Sequence, residues 1–132
     1  MRSILIIDDE VEVGEALKRV LERAGFKVTV VTGSAEGVSA FERGPADLVI
    51  TDIIMPKVHG IDVIKSIRKT NAETPIIAIS GGGNFGPLEY QPDAITTSAY
   101  LAAAKQAGAN AVLTKPFDKA DLLEAVTRLV RT

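Results

Sequence analysis

The chain opens on Ile4-Leu5-Ile6-Ile7-Asp8-Asp9-Glu10. Its four apolar residues show no alternation, which is how a strand reads when both of its faces are covered, as in a parallel sheet. Acidic residues then stop it abruptly. The same grammar recurs along the chain, with short apolar runs at Val28–Val31, Leu48–Ile50, Ile76–Ile79 (opened by Pro75) and Ala111–Leu113. Between them the period changes to that of a helix. Val13, Ala16, Leu17, Val20, Leu21 and Ala24 fall at steps of three and four, and Gly25 sits where a left-handed cap belongs. Ser34 is placed to cap a helix with Val38 and Phe41 on its inner face, ending before Gly44-Pro45. Ile61, Ile64 and Ile67 form a third stripe, and residues Ala94 to Ala107 a long helix that stops at Gly108. Asp118 caps a last helix carrying Leu122, Val126, Leu129 and Val130. Strands alternating with helices predict a parallel sheet covered on both faces, because each parallel crossover needs a helix. In such a sheet, ligands sit outside the carboxyl ends of the strands.

Composition narrows the chemistry. The 132 residues are 46% hydrophobic and 24% charged, the balance of one ordinary domain spanning residues 1–132. The absence of Cys excludes disulfides, thiol nucleophiles and cysteine-held metals, and one histidine, His59, excludes a multi-histidine metal site. A net charge of −2, with no Trp, Phe 4 and Tyr 2, supplies neither the basic excess nor the stacking platforms of a nucleic-acid binder. No direct nucleic-acid contact is expected. The apolar runs are too short to cross a bilayer, and acids follow the first one too early for a signal peptide, so a cytoplasmic protein without membrane contact is expected.

The polar residues at the ends of the apolar runs decide the function. They are Asp8-Asp9, Thr51-Asp52, Ser80 and Thr114-Lys115-Pro116. A parallel sheet brings all of these to one edge. Carboxylates crowded there repel one another, and a hard cation such as Mg²⁺ relieves the repulsion while leaving room for phosphate oxygens and water. Lys115 adds a fixed positive charge and Ser80 a hydroxyl. The set suits phosphoryl transfer, in which positioning and charge neutralisation do most of the catalysis. A carboxylate can itself be the nucleophile, and Asp52, alone at the end of a central strand, is the best candidate.

With Asp8-Asp9, Asp52 followed by Met55-Pro56 and Gly60, Ser80, and Lys115-Pro116-Phe117 in this order, the chain resembles a response-regulator receiver domain of bacterial two-component signalling over its whole length. The resemblance implies a flavodoxin-like, doubly wound α/β fold. Its five-stranded parallel sheet would run in the order 2-1-3-4-5, with five helices on both faces. It implies that Asp52 takes a phosphoryl group from a histidine kinase or histidine phosphotransfer protein. It implies Mg²⁺ held by Asp9 and Asp52, with Asp8 acting through water and the backbone carbonyl of Ile54 as a further ligand. Lys115 would pair with a phosphoryl oxygen, Ser80 would follow the phosphoryl group as the switch, and Pro116 matches the family's usual cis proline. The module would act as a regulator and not as an enzyme turning over a separate substrate, and its output protein is not named by the sequence.

Two departures from the family pattern stand out. Val112 occupies the strand-five position where the family usually has an aromatic ring. The segment after Ser80, Gly81-Gly82-Gly83 through Asp93, is longer and richer in glycine than usual. No helix-turn-helix follows Val130, which fits either a receiver working alone or a piece of a longer protein. Two rival readings remain: a phosphorylation-independent binding module that keeps the fold, and a flavodoxin-like or phosphohydrolase enzyme. His59 reads as a surface residue, since Asp52 already supplies the nucleophile.

Overall fold

The computed structural model describes residues 2–52, 60–81, 102–115 and 118–130. In chain order they form β1 (Ser3–Ile7), α1 (Val11–Arg23), β2 (Lys27–Val31), α2 (Ser34–Arg43), β3 (Leu48–Asp52), α3 (Gly60–Thr70), β4 (Ile76–Gly81), α4 over residues 102–107, β5 (Ala111–Lys115) and α5 (Lys119–Val130). The sheet is wholly parallel, in the order β2-β1-β3-β4-β5. This is the doubly wound, flavodoxin-like arrangement, and it makes β3 the central strand.

Unbroken apolar strands have two faces to bury, and the interior divides accordingly. Ile4, Ile6, Leu48, Ile50, Ile77 and Ile79 join Leu17 and Leu21 of α1 and Leu122 and Val126 of α5 in one core. The alternate residues Leu5, Ile7, Val49, Ile76 and Ala78 join Phe41 of α2, Val63, Ile64 and Ile67 of α3, and Ala104 of α4 in the other. Side chains of a strand alternate in direction, so each of these strands serves both cores.

The helix ends follow the chemistry of their caps. Gly25 has φ +100° just beyond α1, as its position predicts, and Gly108 has φ +125° just beyond α4. The Asp118 carboxylate accepts the Asp121 N–H at 2.9 Å, an N-terminal cap on α5. The expected capping role of Ser34 is corrected. Gly33 is the cap of α2, with extended backbone, and Ser34 is already the first helical residue. The start of the fourth helix, expected at Ala94, lies outside the described residues, as do the glycine-rich segment beyond Gly81, His59, and Pro116 with Phe117.

Candidate functional site

Parallel register brings the carboxyl ends of the strands to one edge. Asp8 follows β1 directly, and its N–H still bonds the Val31 carbonyl of β2 at 3.1 Å. Asp52 is the last residue of β3, paired with Ile79 of β4. One residue further, Ser80 pairs with Thr114, and Gly81 with Lys115. The backbone thus carries Ser80 and Lys115 to the same end of the sheet, on the two strands beyond Asp52. Ile54 lies outside the described residues.

Asp8 and Asp52 are nearly inaccessible, at 1% and 5% exposure. Glu10 completes a cluster with them. One carboxylate oxygen from each of Asp8, Glu10 and Asp52 lies within 4.8 Å of the others. Local structure explains the geometry. Glu10 caps α1 in an extended conformation, φ −96° and ψ 107°, and its N–H donates to Asp8 Oδ1 at 2.8 Å. That bond folds the chain from strand into helix, with Gly14 N–H closing the first turn on the Glu10 carbonyl at 3.1 Å. The chain bends at Asp9, which brings Glu10 back beside Asp8. Asp8 and Glu10 therefore both belong to the cluster, whereas Asp9 between them is exposed and stands outside it. The N-terminus of α1 starts at Val11, beside these acids, and its partial positive charge favours them.

Carboxylate oxygens alone make a hard donor set, the kind that suits Mg²⁺ or a similar cation and not a softer metal. Glu10 is the member of this cluster that sequence reasoning did not name. Its signal was present in Asp8-Asp9-Glu10, where an acid recurs after two residues just before a helix.

Residues 4–90 match the sequence profile of the family described as "Response regulator receiver domain". The chain belongs to this family. As a receiver, it is 31% identical over 97% of its length to the transcriptional regulatory protein YkoG of Bacillus subtilis, and 32% identical over 98% to the transcriptional regulatory protein CusR of Escherichia coli. It covers 50% and 51% of those two proteins, so the receiver spans about half the length of these relatives. A response-regulator receiver domain from Clostridium thermocellum is 32% identical and superposes with a TM-score of 0.80, covering 98% of this chain and 94% of that one. Among the described residues, no helix is long and apolar enough to cross a membrane.

Proposed function

We propose that residues 1–132 act as one phosphoacceptor module in the cytoplasm, taking a phosphoryl group onto Asp52 from a phosphohistidine of a histidine kinase or phosphotransfer protein. The observation that carries this reading is the position of Asp52. It is buried at the end of the central strand, within a few ångströms of two other carboxylates and one register step from Ser80.

In the proposed step, an oxygen of the Asp52 carboxylate forms a bond to phosphorus while the P–N bond to the partner's imidazole breaks. The electron pair goes to the imidazole nitrogen. Asp8, Glu10 and Asp52 would hold the cation, with Asp9 and the backbone carbonyl of Ile54 as the further ligands that the family resemblance implies. When bound, Mg²⁺ supplies charge neutralisation for the phosphoryl oxygens and the attacking carboxylate. Lys115 pairs with one phosphoryl oxygen and Ser80 hydrogen-bonds another. The new negative charge at the sheet edge then favours the conformation in which these two residues close on it. The module assists its own phosphorylation and dephosphorylation and passes its state to an output protein or attached domain.

Incubation with acetyl phosphate and Mg²⁺ tests this. The expected result is a mass gain of one phosphoryl group that disappears in Asp52→Asn and when the cation is chelated. A wild-type chain that gains nothing would overturn the reading in favour of a phosphorylation-independent binding module.

A further inference from the structure

Among the described residues, two buried polar side chains, Thr51 and Thr74, have no part in the proposed chemistry, and Thr51 is the one next to Asp52. Thr51 is 0% exposed. Its register partners are Ile7 of β1 and Ala78 of β4, and by strand alternation it shares a face with Val49, among the aliphatic residues of the second core. Valine has nearly the same shape and no polar atom, so packing alone gives no reason for a hydroxyl here. Burying one among aliphatic groups is unfavourable unless it is hydrogen-bonded. Thr51 Oγ1 donates to the backbone carbonyl of Asp52 at 3.1 Å.

This bond sits where the ladder thins. β1 keeps step with β3 as far as Ile7 and Thr51, whereas Asp52 itself is matched on the β4 side by Ile79. The residue that bears the reacting carboxylate is thus at the edge of the region held by strand pairing. Thr51 and Asp52 face opposite sides of the sheet, so the hydroxyl works through the main chain. By holding the Asp52 carbonyl it restrains the backbone from which the carboxylate projects.

We propose that Thr51 is a positioning residue for phosphoryl transfer onto Asp52, acting through the hydrogen bond from its hydroxyl to the Asp52 carbonyl. The inference rests on the phosphoacceptor reading above. Small displacements of a reacting group cost large factors in rate, and Thr51→Val is expected to slow phosphoryl uptake from acetyl phosphate about tenfold at saturating Mg²⁺. Thr51→Ser, which keeps the donor and loses the methyl, is expected to react within about twofold of wild type.

Thr51→Val as fast as wild type overturns the inference, and so does equal slowing in the Val and Ser variants, which would make packing the cause. Should Thr51→Val not fold, Thr51→Ala against Thr51→Ser makes the same comparison of hydroxyl present and absent. A wild-type chain that takes up no phosphoryl group removes the underlying reading and this inference with it. That result is distinct from a labelled wild type that the variants match.

Discussion

The guanidinium of Arg68 donates twice to the carbonyl of Gly108, from Nε at 3.1 Å and from Nη2 at 2.7 Å. It also donates from Nη1 to the carbonyls of Thr74 at 2.6 Å and Asn71 at 3.3 Å, and from Nη2 to Asn110 Oδ1 at 2.8 Å. Asn110 Oδ1 in turn accepts the Ile76 N–H at 2.9 Å. One side chain in the last turn of α3 therefore ties the end of α4, the approach to β4 and the approach to β5 into a single knot. It lies at the end of the sheet opposite Asp52, and its four acceptors are neutral oxygens.

Loss of that knot should be costly. Arg68→Ala is expected to lower unfolding free energy by about 2–4 kcal/mol, as several charge-assisted bonds vanish and carbonyls lose their donor. Arg68→Lys should recover less than half, because an ammonium cannot reproduce the planar fork. Urea denaturation measures both.

The pH dependence follows from the same group. Burial holds the Arg68 guanidinium pKa below its usual value. The unfolded chain therefore binds this proton more tightly, and the linked stability rises with pH only in the strongly alkaline range. Stability-against-pH curves for wild type and Arg68→Ala should run parallel between about pH 6 and 9. Diverging slopes would show that the knot responds to some other titrating group.

Two glycines with positive φ separate backbone strain from crowding. A Cβ on Gly25 meets nothing within 4 Å, so Gly25→Ala should cost only the left-handed conformation, about 1 kcal/mol. A Cβ on Gly108 comes within 2.8 Å of Arg68 Nε. Gly108→Ala should therefore be the worse by about 1–2 kcal/mol, since it also displaces the guanidinium. Thermal melts of the two variants side by side give the comparison.

Gly37 shows packing overriding propensity. Alanine is the better helix former by about 1 kcal/mol. Yet a Cβ at Gly37 would lie 2.6 Å from Ile7 Cδ1 and 2.7 Å from its Cγ1. Gly37→Ala should destabilise by about 1–3 kcal/mol, and Ile7→Val in the same chain should return part of that loss. A double-mutant cycle in urea reads the coupling.

At the acidic edge, added Mg²⁺ should raise the melting temperature, with about 1.4 kcal/mol gained at tenfold excess over Kd. Without the cation, Asp52→Asn and Glu10→Gln should each raise it by easing repulsion between crowded carboxylates. Asp9→Ala should do less, because Asp9 stands outside the cluster. Calorimetric Mg²⁺ titration of Asp9→Asn and Glu10→Gln then tells which of the two acids contributes to binding.

The strand runs, the helical stripes and the convergence of Asp8 and Asp52 were legible in the sequence, because apolar periodicity and strand direction fix them. The strand order followed from the family resemblance carried by the Asp, Ser and Lys motifs. What was not legible depends on single backbone angles and on contacts distant in sequence. Which of Asp9 and Glu10 joins Asp8 and Asp52 depends on the bend at Asp9. The Arg68 knot joins residues about forty positions apart, and nothing local distinguishes Arg68 from its neighbour Lys69. Thr51 stood in the sequence only as the strand-end neighbour of Asp52, and its hydroxyl's part depends on its burial.

The central strand deals its residues to left and right in strict turn, with Val49 and Thr51 to one interior and Leu48 and Ile50 to the other. One extra amino acid spliced in just ahead of Asp52 would turn that carboxylate to the opposite wall while the residues before it kept their phase. Two extra would restore the phase but overshoot the rim. Insertions tolerated in this half of the molecule should therefore collect between Arg43 and Leu48, where the chain is in neither α2 nor β3.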